Sequence, residues 1–427
     1  MMKARELAFK VLMDVEENKS YADMALKKYL DKFRLDSRDR ALVTELVYGV
    51  IERKNTLDYV IVSLAKKGTK PDLRVLNLLR MGIYQIMYLD KIPPRAACDE
   101  AVELTKKYCG IGPSKFVNGI IRTYLRNGVK FPDENLQPVE YLSLKYSYPE
   151  WMVERFLKDY DYDFVKSFLE ASNQKPDVSI RVNTLKTDVD GLTTALEGQG
   201  IEVKKGKYAR EALYVYGIRG IDKLDLYKNG LFQVQGESSM MVSHLLNPEP
   251  GEFIVDVCSA PGGKATHIAQ LMENKGIILA RDLYEHKLAL IQKNCERLGI
   301  KIIKTQLYDA RELDQHMVNK ADRVLVDAPC TGYGVIRKKP DIKWSRKPED
   351  EKELVSIQHQ ILNNAAKYVK SGGLVVYSTC TITYEENMGQ VERFLHENKD
   401  FELESTTSFY PHIHGLDGFF ISCLRRK

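Results

Sequence analysis

Apolar residues along the first 130 positions recur with the period of a helix. Ala4, Leu7, Ala8, Val11, Leu12 and Val15 follow i, i+3, i+4, i+7 spacing, which gathers them on one helical face. The stretch DSRDRALVTELVYGVIERKNTLDYVIVSL repeats it, with Ala41, Leu42, Leu46, Val47 and Val50 on the apolar side and Ser37 as the expected N-cap. RVLNLLRMGIYQIMYL predicts a third helix, stopped at the KIPPRAA break, and ACDEAVELTKKYC and SKFVNGIIRTYLRNG predict two more. Residues 1–130 are therefore expected to form an all-α bundle.

The period then changes twice. Over residues 131–235, YLSLKYSYPEWMVERFLKDYDYDFVKSFLEAS predicts two helices. DVSIRVNTLKT, IEVKKGKY, EALYVYG and GLFQVQGESS predict strands, with a helix at DVDGLTTALEGQG, so a small α+β domain is expected. From 236 to 427 the apolar runs FIVDVCS, GIILARDL, IIKTQLYD, RVLVDAP and GLVVYST alternate with helical stretches such as KATHIAQLMEN and HKLALIQKNCERLG. Buried strands separated by helices imply an α/β fold with a largely parallel, doubly wound sheet. FELESTTSF and DGFFISCLRR can close it as an antiparallel pair. Ligands of such sheets sit beyond the carboxyl ends of the strands, so each strand end bears on function.

Composition narrows the class. The chain has 427 residues, 44% hydrophobic and 29% charged, as in a soluble multidomain protein. No apolar run reaches the roughly 18 residues of a membrane span, and MMKARELAFKVLMDVEE meets acid at Glu6, unlike a signal peptide. Cysteines 98, 109, 258, 295, 330, 380 and 423 are odd in number, widely spaced and without a C-x-x-C pair. That argues against a disulfide framework and a zinc site, and for the reducing cytoplasm. The net charge of +5 is unevenly spread: residues 1–130 hold 25 Lys/Arg against 16 Asp/Glu, a net of +9. Such a basic third suits a polyanion, although a lysine-rich solvated surface would look the same.

Chemistry is concentrated at the strand ends of the last third. DVCSAPGGKATHIAQL reads as strand, glycine turn and helix. It is not a Walker A loop, which needs glycine where Cys258 stands and Ser or Thr where Ala265 stands. Asp282 closes the second strand, where an acid can accept both hydroxyls of a ribose. Asp309 closes the third, where it can accept from an adenine amine, and Asp327 closes the fourth. A turn with two such acids and no phosphate cradle points to S-adenosylmethionine, although acids at strand ends are common.

The fourth strand runs on into DAPCTGYGVIRKKPDIKW and the fifth into STCTITYEEN, so Cys330 and Cys380 can share one crevice. Carbon-5 of cytosine is a poor nucleophile. A thiolate adding to carbon-6 makes it enamine-like, after which it can take a methyl group; this is covalent catalysis. An acid at ring nitrogen-3, for which Asp327 is placed, would stabilise the adduct.

SAPGGK, DAPCTGYGVIRKKPDIKW, STCTITYEEN and the C-terminal GLDGFF resemble the RNA 5-methylcytosine methyltransferases. LVTELVYGVIERKNTLDYVI and the Ile-Pro-Pro break resemble the NusB-type RNA-binding domain. Together they make essentially the whole chain similar to the bacterial Sun/Fmu type, which acts on one cytosine of small-subunit ribosomal RNA. The resemblance implies a NusB-like bundle over 1–130, a small α+β domain over 131–235 and a Rossmann-like methyltransferase domain over 236–427. It places the cofactor loop on Cys258, Ser259, Ala260, Pro261, Gly262, Gly263 and Lys264, with Asp282, Asp309 and Asp327 as further cofactor acids. It makes Cys380 the nucleophile and Cys330 the thiol that assists release. DNA cytosine methyltransferases attack with a Pro-Cys thiol and lack a second, so Cys380 moves the reading to RNA. Tyr333 stands where many relatives have a small polar residue.

The expected partner is thus ribosomal RNA with a single-stranded or looped cytosine, met by a cytoplasmic monomer without metal or membrane. A transfer-RNA substrate and a catalytically inert assembly factor are the alternatives, the second opposed by the intact acids and cysteines. RKKPDIKWSRK, residues 337–347, has six basic residues, one acid and a tryptophan, fit to grip a phosphate backbone and stack a base or to be an ordinary loop. Arg181 and Asn183 can meet phosphate or decorate an edge strand. Glu385, Glu386 and Asn387 are read as a cap for the helix after Cys380. Cys98, Cys109, Cys295 and Cys423 are read as core, and His412 and His414 as surface.

Overall fold

The computed structural model describes residues 3–218 and 220–427. It divides into two compact units: the chain up to Asn173 together with Lys339–Ser345, and Gln174–Lys338 together with Arg346–Lys427.

The first unit is helical. Helices at Ala4–Asn18, Ala22–Lys32, Ser37–Glu52, Lys54–Leu64, Leu73–Tyr88, Pro94–Cys109 and Ile111–Asn127 enclose a core that includes Leu7, Val11, Leu46, Val47, Leu78, Ile83 and Ile121. The periodicity of the second amphipathic stretch is displaced: Ala41 is exposed, and Val43 joins Leu46, Val47 and Val50 inside. Asp36, not Ser37, caps that helix, its carboxylate accepting from the amides of Arg38 at 2.9 Å and Asp39 at 2.8 Å. A charged oxygen serves the positive end of a helix better than a hydroxyl.

Three helices follow where two were expected, at Pro138–Tyr146, Glu150–Asp159 and Tyr162–Ser172. Ser147 adopts a left-handed φ of 62° and ends the first; Pro149 precedes the second; Asp161 caps the third through the amide of Phe164 at 2.8 Å. Pro149 disfavours helical geometry for the residue before it, so the run is cut there.

The second unit holds two sheets. Strands β1 (Val178–Val182), β2 (Glu202–Lys205), β3 (Ala212–Tyr216) and β4 (Phe232–Val234) form an antiparallel sheet in the order β2-β3-β1-β4. Leu192 and Leu196 of the helix Val189–Glu197 share a core with Ile180, Val182, Leu213 and Phe232. GLFQVQGESS keeps strand form only to Val234, because Gly236 starts the helix Glu237–Leu246.

The larger sheet contains β5 (Phe253–Asp256), β6 (Ile277–Asp282), β7 (Ile303–Leu307), β8 (Ala321–Asp327), β9 (Val369–Thr379), β10 (Phe401–Phe409) and β11 (Phe419–Arg426). Its order is β10-β11-β9-β8-β5-β6-β7. The segment β9-β8-β5-β6-β7 is parallel, and β10 and β11 are antiparallel. Strand residues alternate between two cores, as the pleat requires. Ile254, Leu325 and Val376 pack with the helix Gly263–Leu271, while Val255, Val324, Val326 and Val375 pack with the helix Pro348–Ala366. The chain thus combines an all-α bundle, a small α+β domain and an α/β Rossmann-like fold with a mixed sheet. No helix among the described residues is long and apolar enough to cross a membrane.

Candidate active site

Parallel strands bring their carboxyl ends to one edge. There the chain sets out, in sheet order, Cys380 after β9, Asp327 and Cys330 at and beyond β8, Cys258–Lys264 after β5, Asp282 closing β6, and Asp309 just past β7. The order reverses between β8 and β5, the switch point at which such sheets bind ligands.

The loop after β5 is held by its own backbone and its neighbours. Ser259 donates its amide to the Arg281 carbonyl at 2.8 Å, and Gly262 donates to the Ser259 carbonyl at 2.8 Å. The Ala260–Pro261 peptide is cis, and the Pro261 carbonyl accepts from Asn294 at 3.0 Å. Gly262 has φ +92°, a conformation open to glycine, and a Cβ there would press on Ile291 at 3.2 Å. Asp282 is buried and accepts from the amides of Ala260 at 3.2 Å and Tyr284 at 3.1 Å. Asp309 is engaged by Arg311, whose guanidinium reaches it at 2.6 Å and holds its carboxyl below the usual range. Lys264 crosses to Asp327 at 2.7 Å, and Asp327 also accepts from Ser378 at 2.9 Å. Beneath them Asp256, at the end of β5, is fully buried, and burial pushes its carboxyl up to about 7.

A small loop fixed by backbone bonds, a buried acid at the next strand end and no run of amides for a phosphate fit an adenosine-bearing cofactor. Cys258 lies in this loop with its thiol pushed well up by burial, so it contributes packing and backbone rather than nucleophilicity.

The two cysteines meet. Asp327 and Ser378 are paired across β8 and β9, and three and two residues further on the sulfurs of Cys330 and Cys380 lie 3.4 Å apart. Cys330 is a poor acid: its hydrogen bond with Cys380, then burial, raise its thiol well above the ordinary value. The loops that carry them are stitched together. Gly334 donates to the Cys380 carbonyl at 2.9 Å, and Gly418 donates to the Gly334 carbonyl at 2.8 Å. A Cβ on Gly334 would stand 2.0 Å from the Gly418 carbonyl oxygen, which is why TGYG and DGFF both need glycine where they touch. Tyr333 is fully buried.

The supporting roles of three residues escaped the sequence. Arg346 donates to the carbonyls of Cys330 and Thr331, each at 3.0 Å, and so grips the Pro-Cys loop. Glu386 is not a helix cap; it is fully buried and accepts from Thr331, Gln358 and Thr383. Asn387 likewise accepts from Thr379 and donates to the Thr381 carbonyl. Both were visible in STCTITYEEN, but only as polar residues before a helix.

Other sequence readings are corrected. Most of the 337–347 charge is spent internally. Arg337 and Lys338 pair with Asp417 at 2.6 Å each, and Lys343 is buried against Asn173 at 2.7 Å and the Tyr148 ring at 3.8 Å. Trp344 donates to the Ile51 carbonyl at 2.6 Å and packs on the helical core, so it is not a free stacking platform. Only Lys339 and Lys347 among these basic residues are exposed. Arg181 on β1, an inner strand, and Asn183 just past its end are both buried: Arg181 donates to the Gly263 carbonyl at 2.7 Å and Asn183 to the Leu298 carbonyl at 2.9 Å. Cys98 and Cys423 are core, but Cys109 and Cys295 lie only half-buried at its margin.

Glu211, His244 and His267 are the one cluster among the described residues with donor atoms close enough to hold a metal. Glu211 accepts from His244 at 2.8 Å and lies 2.6 Å from His267, whose imidazole burial holds at about 3 and therefore neutral. The buried Arg181 guanidinium, which also depresses His267, opposes a dication there.

A Rossmann-like sheet with this edge defines an S-adenosylmethionine-dependent methyltransferase. Residues 243–425 match the family "16S rRNA methyltransferase RsmB/F", residues 2–126 match NusB, and residues 148–221 match the ferredoxin-like domain of the RsmF/B-like methyltransferases. The chain is 39% identical to "Probable ribosomal RNA small subunit methyltransferase B" of Bacillus subtilis, over 99% of this chain and 98% of that one. It is 34% identical to ribosomal RNA small subunit methyltransferase B of Escherichia coli, over 92% of each. The crystal structure of PH0851 is similar over 100% of this chain and 99% of its own, with TM-score 0.84 and 28% identity. That of NSun6 from Pyrococcus horikoshii, solved with SFG, covers 66% of this chain and 99% of its own, with TM-score 0.61 and 26% identity. The chain belongs to the RsmB/F family of 16S rRNA methyltransferases. It is an RNA methyltransferase that uses S-adenosyl-L-methionine.

Proposed function

We propose that the enzyme methylates carbon-5 of one cytosine in small-subunit ribosomal RNA through a covalent bond between Cys380 and carbon-6 of the ring. The observation that carries this reading is the pair of sulfurs 3.4 Å apart at neighbouring strand ends. One thiol suffices for addition to a ring; a second beside it has a use when the first must leave.

S-Adenosylmethionine, held by Cys258–Lys264, Asp282 and Asp309, supplies a methyl group on a sulfonium sulfur. Cys380 adds to carbon-6 as thiolate, and the displaced electron pair makes carbon-5 the nucleophile. Asp327 holds a proton at ring nitrogen-3, with the Lys264 ammonium 2.7 Å from its carboxylate. Once carbon-5 carries the methyl group, its proton passes to water. The carbon–hydrogen pair rebuilds the ring double bond, the carbon–sulfur bond breaks, and Cys380 departs as thiolate. Cys330, a thiol that keeps its proton, donates it as a hydrogen bond to that departing sulfur. Residues 1–130 and 131–235 hold the RNA and residues 236–427 perform the chemistry, in a cytoplasm whose reducing poise suits seven free cysteines.

The test is transfer of labelled methyl to small-subunit ribosomal RNA, with the product cytosine located by bisulfite protection. Cys380→Ala should abolish transfer and retain RNA affinity. Full activity in that variant overturns the reading.

A further inference from the structure

We propose that Glu386 is the positioning residue of the two-thiol site, setting the Cys330 loop against the Cys380 loop and thereby controlling breakdown of the covalent intermediate. The inference rests on the covalent reading above and adds a residue to it.

The carboxylate is fully buried and meets four donors. One oxygen accepts from the Thr331 amide at 2.9 Å and Gln358 at 2.8 Å; the other accepts from the Thr331 hydroxyl at 2.5 Å and the Thr383 hydroxyl at 3.1 Å. Thr331 follows Cys330 directly, Thr383 lies three residues past Cys380, and Gln358 sits on the helix Pro348–Ala366. One carboxyl group therefore binds both cysteine loops to the helix Pro348–Ala366. No lysine, arginine or histidine is among these four donors; burial raises the Glu386 carboxyl above the usual carboxylate range, and the hydrogen bonds from Thr331 and Gln358 draw it back towards the ionised form.

The network also has a direction. The Thr331 hydroxyl gives its hydrogen to Glu386, so it must accept from the Thr381 hydroxyl 2.7 Å away. Thr381 follows Cys380, and an ionised Glu386 thus orders a chain of hydroxyls from one cysteine loop to the other. Tyr377 adds a bond from its hydroxyl to the Glu386 carbonyl at 2.7 Å. The same negative charge opposes ionisation of Cys330, which keeps that thiol a hydrogen donor.

A glutamine at 386 keeps the shape but turns one acceptor oxygen into a donor that faces donors. The test compares full-length wild type, Glu386→Gln, Glu386→Asp and Cys330→Ala on small-subunit ribosomal RNA with S-adenosylmethionine. Glu386→Gln should lower kcat at least tenfold, leave KM for the cofactor and RNA affinity within twofold, and accumulate a protein–RNA adduct that survives a denaturing gel. Glu386→Asp, which keeps the charge, should recover part of kcat. Wild-type kcat in Glu386→Gln, or a loss with no adduct while Cys330→Ala does trap one, overturns the positioning role alone. Absence of adduct from Cys330→Ala as well overturns the covalent reading beneath it. Should Glu386→Gln fail to fold, Thr383→Val removes one bond of the same carboxylate and must show the same kcat loss with adduct; wild-type turnover there overturns the proposal.

Discussion

Replacing Cys330 by alanine isolates the release step. The substitution removes a sulfur 3.4 Å from that of Cys380 and leaves the loop's backbone bonds to Arg346 and Glu386 in place. Addition of Cys380 to the ring does not need the second thiol, so the adduct should form at its usual rate. Its breakdown loses a hydrogen bond to a sulfur that is becoming negative. Hydrogen bonds to charged groups contribute about 1.5–3 kcal/mol, and each 1.36 kcal/mol is tenfold in rate. Release should therefore slow by about 10- to 150-fold, and the weakness of a thiol donor sets the expectation near the lower figure, about tenfold. With formation unchanged, the adduct becomes the main enzyme species at steady state. End-labelled RNA incubated with the variant and S-adenosylmethionine should migrate with the protein on a denaturing gel, and adding Cys380→Ala should erase the band. No band from Cys330→Ala, or a band that persists without Cys380, refutes the assignment of the two thiols.

The helix Ile111–Asn127 contains no acid and exposes Lys115, Arg122 and Arg126; changing all three to glutamate should weaken RNA binding and lower the salt slope by roughly 0.7–0.9 for each phosphate no longer neutralised. An unchanged slope in binding titrations would remove that face from the RNA interface. Asp256 offers a pH signature: its carboxyl lies near 7 when folded against 3.8 as a reference, so the fold binds the extra proton between those values. The stability this contributes is full below about pH 4 and is lost as pH rises through about 7. Denaturation midpoints of Asp256→Asn should lack the decline that wild type shows over that window; parallel curves would assign the decline elsewhere.

The fold was legible wherever one period governed a long stretch. Leu7, Val11 and Leu12 fall inside as their spacing required, and the strands β5 to β9 lie where the apolar runs are. What escaped was local chemistry that competes with period. Asp36 outranks Ser37 as a cap because one of its carboxylate oxygens accepts two amides. Ser147 and Pro149 cut one helical run into two. Gly236 starts a helix inside a run that alternates like a strand. Each is a decision made by one or two residues, and a window of ten averages it away.

The site shows a sharper divide. The residues proposed to touch reactants lie at strand ends, and strand ends are countable from sequence, so Cys330, Cys380, Asp282 and Asp327 were identifiable as candidates from it alone. Residues that hold those residues in place were not, because their partners are distant in sequence. Arg346 reaches back 15 and 16 positions to Thr331 and Cys330, and Glu386 reaches 55 positions to Thr331. Charge type misleads in the same way. In RKKPDIKWSRK six basic residues read as a surface for phosphate, yet Lys343 is fully buried and Arg337 and Lys338 neutralise Asp417. A lysine is mostly exposed by residue statistics, and only the fold tells which lysines have an acid or an aromatic face waiting. The positive charge left for RNA is thus read better from the exposed face of the helix Ile111–Asn127 than from the most basic stretch of the sequence.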